Sequence, residues 1–300
     1  MKYLLCLLLL INAAIQAQTD TNSPIIYGYK DGMALTMHQL PPAGSSNGKA
    51  VIQVINGFWV SDPQSIPFFS TVTTPFRENG YTVFLVLTSS QPRYAIPEQV
   101  KDLQRAIRFI RYHAADYGIN SNQIGISGAS SGGQLALVAA TANADSTTTS
   151  ADPVDKVSAR VQAAAIFFPP TDFLNYGIAG NNVATDAAFL RQIKLTAAFD
   201  FQTFSDTYQQ YVPVSSTDRL TLARQLSPVY AVSPDDPPVI IAHGDKDQLV
   251  PLQQSQVFIE ALKKAGVPNK LLIRKEAGHG WPDASEEMKQ FVDWFNQYLQ

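Results

Sequence analysis

Residues Gly128-Ala129-Ser130-Ser131-Gly132 constrain this chain more than any other stretch, because of what flanks them. A short apolar run, Ile124 to Ser127, leads in, and a helix-like segment, Gln134 to Thr141, leads out. A strand, a sharp turn carrying a serine and then a helix make the signature of a nucleophile elbow. The turn imposes strained backbone angles on Ser130, and neighbours without a Cβ let strand and helix approach closely. Such a turn exposes the serine Oγ and aims the N–H groups of the helix start at developing negative charge. The competing reading is a glycine-rich turn in which Ser130 or Ser131 caps the helix.

A nucleophilic serine needs a base, and the chain has four histidines. His38 lies in an alternating run with Leu35 and Met37, which suits the exposed face of an early strand. His113 follows the apolar stripe Val100, Leu103, Ile107 and Ile110, where the C-terminal dipole of a helix favours it. His243 closes the buried-looking run Val239 to Ala242 and reads as a hydrogen-bonded structural residue. His279 differs, since it sits between Gly278 and Gly280 in a late loop after the strand-like run Leu271 to Arg274. Flanking glycines let that backbone enter a cleft, so His279 is the expected base.

The orienting acid should fall between serine and histidine, in the order Ser, Asp, His. The segment His243 to Pro251 offers two carboxylates, Asp245 and Asp247. Asp245 is placed to hold the turn by bonding backbone N–H groups. Asp247 lies deeper in the loop and is the expected acid, with Asp245 the alternative. Its task would be to fix the His279 tautomer and to stabilise the imidazolium formed when Ser130 loses its proton.

Several blocks, in this order and spacing, resemble the α/β-hydrolases: Tyr81 to Phe84, Ile96 to Arg111, Asp116 to Asn120, Gly128 to Ala136, Ser227 to Tyr230, His243 to Asp247 and Gly278 to Trp281. The chain is similar in particular to the bacterial esterases that include feruloyl and acetylxylan esterases, and to the catalytic domains of prolyl oligopeptidases. The resemblance runs from about residue 30 to the C-terminus. It implies a serine carboxylesterase acting on short-acyl or aromatic-acyl esters, small or linked to plant polysaccharide. The alternatives are a peptidase of prolyl oligopeptidase type and a non-catalytic binding module.

One departure stands out. Such esterases carry H-G-G-G or H-G-G-x-W after the third strand, whereas Val51 to Ile55 is followed here by Asn56-Gly57-Phe58-Trp59. The resemblance therefore implies an oxyanion hole built from the Ser131 N–H with that of Gly57 or Phe58, and Asn56 in place of the missing histidine. The other reading makes Phe58 and Trp59 packing residues in a loop of different shape. Phe58, Trp59, Tyr94 and Trp281 are candidates for an aromatic substrate pocket, or equally for ordinary core.

Composition fits one large globular unit. The first residues, Met1-Lys2-Tyr3 followed by the apolar run Leu4 to Ile11, read as a cleavable signal peptide over residues 1–17, with Ala17 or Ala14 at the cleavage point. That implies a periplasmic or secreted protein. Its apolar run falls short of the roughly 20 residues that span a bilayer. About 280 residues remain for residues 18–300, enough to bury a single core. A hydrophobic fraction of 45% with 16% charged residues excludes general disorder. A net charge of −3 offers no basic footprint for nucleic acid and no polybasic membrane patch. The one cysteine, Cys6, lies inside the expected leader, so the mature chain would have neither disulfides nor thiolate metal sites. No metal constellation and no phosphate-cradling loop is legible, so no cofactor is implied.

Strands are expected near Ala34–Gln39, Ala50–Ile55, Thr82–Leu87, Gln123–Ser127, Val161–Phe168, Val239–His243 and Lys270–Glu276. Helices are expected at Pro97–Asp116, Gly132–Ala142, Leu252–Ala265 and Ala284–Leu299. This alternation predicts an α/β fold with a mostly parallel sheet covered on both faces and a site at the C-terminal ends of the strands. Thr141 to Asp152 reads as a surface loop. The long segment at about 174–234, rich in Phe and Leu, reads as a small helical cap over the cleft, or as a packed excursion without a substrate role.

Overall fold

The computed structural model describes residues 23–141 and 149–300. The expected leader with Cys6, and most of the expected Thr141–Asp152 loop, lie outside the described residues. The central sheet has eight strands: β1 (Ile25–Lys30), β2 (Met33–Leu40), β3 (Ala50–Ile55), β4 (Thr82–Leu87), β5 (Ile124–Ala129), β6 (Ala163–Phe167), β9 (Val239–Gly244) and β10 (Asn269–Arg274). A separate hairpin, β7 (Gln202–Ser205) with β8 (Gln210–Pro213), lies between β6 and β9 in sequence. The sheet order is β1-β2-β4-β3-β5-β6-β9-β10, parallel from β4 onward, with β1 and β2 antiparallel at one edge.

Strands β3 and β4 are buried along their whole length, as unbroken runs of Val, Ile and Leu are when both faces are covered. Alternate residues of β3 feed opposite layers: Ile52 and Val54 enter one core, Val51 and Ile55 the other. The helices are α1 (Ile66–Val72), α2 (Thr74–Glu78), α3 (Ile96–Tyr112), α4 (Ser130–Thr141), α5 (Ala187–Gln192), α6 (Ser216–Gln225), α7 (Gln253–Ala265) and α8 (Ser285–Tyr298). The first core takes Leu103, Ile107 and Ile110 of α3, Leu135 and Val138 of α4, and Phe258, Ile259 and Leu262 of α7. The second takes Phe76 of α2 with Met288, Phe291, Val292 and Phe295 of α8. Apolar residues three and four apart face the sheet in each long helix.

The seven strands and four helices expected from the sequence are present, within a few residues of their expected ends. Strand β1 was not expected. It pairs with β2 through a register shift between Ile26 and Gly28, which breaks the alternation that a reader of the sequence would look for. The segment at 174–234 is not simply helical. It holds the short helix α5, the hairpin β7–β8 and the ten-residue helix α6. Its Leu190, Phe199, Phe201 and Leu226 join the same core as α3 and α4.

Candidate active site

Ser130 opens α4 directly after the last residue of β5, with φ +53, the left-handed region that costs a side-chain-bearing residue roughly 1–3 kcal/mol. The sharp turn is possible because Gly128 lacks a Cβ: one placed there would sit 2.5 Å from the Gly132 carbonyl oxygen. Strand and helix therefore meet backbone to backbone, with Ser130 at the apex of the turn.

The other two candidates arrive on neighbouring strand ends. Asp247 follows β9, and His279 follows β10. Gly244, the last residue of β9, lets the Ala277–Gly278 backbone cross directly over it, since any Cβ would collide with both carbonyl oxygens. That crossing carries His279 onto Asp247. His279 Nδ1 lies 2.7 Å from Asp247 Oδ2, and His279 Nε2 lies 2.9 Å from Ser130 Oγ. Asp247 Oδ1 accepts from the backbone N–H groups of Leu249 and Val250, at 2.9 Å each. Asp245 points elsewhere: it accepts from the Glu276 N–H at 2.7 Å and so ties the two loops together.

His243 is fully buried and supports the same carboxylate. Its Nε2 donates to the Val250 carbonyl at 2.8 Å and lies 3.3 Å from Asp247 Oδ2. Its Nδ1 meets the Ser255 hydroxyl at 2.6 Å. A carbonyl can only accept, so that network assigns the proton to Nε2. Burial works to raise the Asp247 carboxyl. The hydrogen bonds from His243, His279 and the Val250 amide outweigh it and hold the group well below the usual carboxylate range.

The segment after β3 forms a two-residue turn closed on itself. Gly57 and Val60 exchange both N–H···O bonds at 2.9 Å, with Phe58 and Trp59 at φ +54 and +56. This is a type I′ arrangement built without glycine at either central position. It revises the expectation for the oxyanion donors. The Gly57 N–H is spent on the Val60 carbonyl, whereas the Phe58 N–H has no acceptor among the described residues. Ser131 is the second residue of α4, so its N–H belongs to the unsatisfied first turn.

Buried amides pin this turn to α4. Asn56 Oδ1 accepts from Ser131 Oγ at 2.8 Å, and Asn56 Nδ2 donates to Gln99 Oε1 at 3.1 Å. Gln99 Nε2 in turn donates to the carbonyls of Trp59 at 3.0 Å and Tyr94 at 3.2 Å. Gln91 adds bonds to the Phe58 and Trp59 carbonyls. The role of Gln99 was not foreseen, though one signal was available. It falls at the i+3 position after Ile96, on the same stripe as Val100 and Leu103, where a polar residue must find buried partners.

The aromatic candidates separate. Trp59 is only 5% exposed, stacked edge-on against Phe173 and Phe199, with its Nε1 donating to Gln134. It packs as a core residue. Tyr94 is largely buried, its hydroxyl donating to Asp31 at 3.1 Å, and it lines a cavity together with Arg93 and Glu98. Trp281 is half-buried and packs 5.8 Å from Phe168, whose own ring lies 4.5 Å from His279. Phe168, unnoticed in the sequence, is therefore the aromatic wall beside the imidazole.

Comparison with known proteins bears on the family and the fold. Residues 38–262 match the BD-FAE family. Esterase LipQ of Mycobacterium tuberculosis is 30% identical over 220 residues, covering 72% of this chain and 46% of LipQ. The chain thus spans about half the length of the curated relatives it matches. The acetyl ester-xyloside bifunctional hydrolase of Caldicellulosiruptor lactoaceticus superposes with a TM-score of 0.71 at 25% identity, covering 92% of this chain and 96% of that one. Esterase 2 of Thermogutta terrifontis, 21% identical with a TM-score of 0.68 and coverage of 93% and 95%, shares the fold. An eight-stranded α/β-hydrolase sheet, a serine on a left-handed elbow and a match across all but the two ends lead to one assignment: this chain belongs to the BD-FAE family.

Proposed function

We propose that this chain is a serine carboxylesterase that works through Ser130, His279 and Asp247. The observation that carries the reading is the continuous relay at 2.7 and 2.9 Å from Asp247 through His279 to Ser130. With its Nδ1 proton held by Asp247, His279 presents the Nε2 lone pair to the Ser130 hydroxyl. The imidazole takes that proton as Oγ attacks the ester carbonyl, and the N–H groups of Ser131 and Phe58 receive the oxyanion. When the tetrahedral intermediate collapses, His279 returns the proton to the leaving alcohol and an acyl-Ser130 remains. Water, deprotonated by the same imidazole, then attacks the acyl carbonyl and releases the acid and free Ser130.

The substrates are short-acyl or aromatic-acyl esters, with acylated plant polysaccharide as their source. The names of the relatives favour this class, and Phe168 with Trp281 gives an acyl group an apolar wall. Residues 18–300 act as one α/β-hydrolase domain, with about 174–234 forming part of the rim. The apolar segment at residues 4–11 acts as an export signal, and N-terminal sequencing of the exported protein should begin just after Ala17.

Hydrolysis of p-nitrophenyl acetate, butyrate and octanoate by the full chain tests the assignment. Turnover that is fastest on acetate supports it. Inactivity on all three esters, with the fold intact by circular dichroism, would remove the esterase reading.

A further inference from the structure

A second concave site lies beside the elbow, on the same end of the sheet. A cavity of about 250 Å³ opens between the β1–β2 turn, the loop from β4 to α3, and the hairpin β7–β8. Its wall includes Asp31, Arg93, Glu98, Asp200, Gln202 and Tyr211. Strand β2 runs antiparallel to β4, with Met37 opposite Val86, so the β1–β2 turn lies beyond the C-terminal end of β4. In the sheet order, β4 is two places and β2 three places from β5. At about 4.8 Å per strand, that sets the cavity roughly 10–15 Å to the side of Ser130. This is too far for the acyl group under attack, and within reach of a substrate that extends along the face.

The hairpin turns one particular face toward this cavity. Gln202 pairs with Pro213 and Phe204 with Tyr211, so these four side chains share a face. Gln202 and Tyr211 line the cavity, and Phe204 extends the same surface with its ring 5.6 Å from that of Tyr211. Phe204 is 49% exposed and Tyr211 69% exposed. The Phe204–Tyr211 cross-strand pair steadies a hairpin that is marginal by itself, and much of both rings stays open to solvent.

The polar groups below the rings are planar and partly unclaimed. The Glu98 carboxylate takes no hydrogen bond among the described residues, and Asp200 holds one, from Gln202 Nε2 at 2.9 Å. Asp31 is engaged by Tyr94 and, at 3.7 Å, by Arg93. An apolar acyl tail would leave these carboxylates desolvated and unpaired. An acidic polymer would meet three carboxylates against one guanidinium. A neutral hydroxyl-rich chain satisfies both features: its hydroxyls donate to Glu98 and Asp200 and accept from Gln202 and Arg93, while its C–H faces lie on Tyr211 and Phe204.

We infer that the cavity and the aromatic face of the β7–β8 hairpin form a binding subsite for a neutral oligosaccharide chain, the non-reacting alcohol part of an extended ester substrate. The inference rests on the esterase reading of Ser130 for its purpose, though not for its chemistry. Binding at such a distance contributes to catalysis only for substrates long enough to reach it.

The test uses the full chain carrying Ser130→Ala, titrated calorimetrically with xylohexaose and with cellohexaose. At least one should bind saturably. Tyr211→Ala and Glu98→Ala should each weaken that binding roughly tenfold or more, as loss of a central contact does, whereas Tyr211→Phe should retain it. In the active chain, Tyr211→Ala should leave turnover of p-nitrophenyl acetate within about twofold of wild type, and lower kcat/KM on acetylated xylohexaose about tenfold. Binding of neither oligosaccharide at millimolar concentration overturns the subsite, as does equal binding by Tyr211→Ala and Glu98→Ala. Preference for hexagalacturonate would also overturn it. A wild type inactive on p-nitrophenyl acetate would count against the esterase assignment alone, since the calorimetry judges the subsite separately.

Discussion

Replacing Gln99 with methionine isolates the buried amide that supports the turn after β3. Methionine matches glutamine closely in length and volume, so packing is conserved and the change is chiefly the loss of the amide. Three buried hydrogen bonds disappear: one from Asn56 and two to the carbonyls of Trp59 and Tyr94. At a net 0.5–1.5 kcal/mol each, their loss costs about 2–4 kcal/mol. The Trp59 carbonyl retains the Gln91 N–H, but the Tyr94 carbonyl loses its one partner among the described residues, which puts the cost toward the upper end. For a chain of this size the melting temperature should fall by about 3–7 °C. The catalytic consequence is separate. Gln99 holds the Trp59 carbonyl of the left-handed Phe58–Trp59 turn, so its loss should let the turn relax and swing the Phe58 N–H away from the proposed oxyanion position. Loss of one donor lowers kcat about a hundred- to a thousandfold. KM should move little, because the donor acts on charge that exists only in the transition state. Steady-state kinetics on p-nitrophenyl acetate at 25 °C, well below the melting transition, read both parameters. A variant that melts lower yet keeps kcat within threefold of wild type would refute the idea that Gln99 positions the hole.

Other predictions follow from the same geometry. Asp247→Asn should preserve the fold and lower kcat by about ten-thousandfold, because an amide can hold the wrong imidazole tautomer toward Ser130. A loss below a hundredfold would mean that His279 is oriented by something else. The Asp247 carboxyl is held below its unfolded value of about 3.9, so its contribution to stability is complete above roughly pH 4 and is lost as the pH falls below that toward the folded value. Urea denaturation should accordingly show wild type losing stability more steeply than Asp247→Asn below pH 4, and parallel curves would contradict the shift. Gly244→Ala forces the Ala277–Gly278 backbone away from β9. It should lower kcat by at least tenfold through displacement of His279, more than Gly278→Ala, whose added methyl meets open space; equal activity of the two would refute that account.

The sheet and its order along the chain were legible because long apolar runs such as Ala50–Ile55 and Thr82–Leu87 have one stable use, a strand covered on both faces. The elbow was legible because strand, glycine, serine and helix are contiguous in sequence. What escaped depends on contacts between distant residues or on the sign of a dihedral angle. The Gly57 amide looked available until the left-handed angles of Phe58 and Trp59 closed the turn onto Val60. The same angles buried Trp59, which sequence alone left equally suited to a pocket. His243 read correctly as hydrogen-bonded, but its approach to Asp247 depends on how the loop after β9 folds back through Val250. The hairpin β7–β8 was hidden because four-residue strands are too short to show alternation amid aromatic residues that also suit a helix.

The most direct test of the account is turnover of p-nitrophenyl acetate by Ser130→Ala beside wild type. The left-handed elbow and the relay that ends on Ser130 Oγ predict a fall of roughly a million-fold, with the pre-steady-state burst of p-nitrophenol abolished. A Ser130→Ala protein that keeps activity within tenfold of wild type, or that still gives a stoichiometric burst, would contradict the central claim.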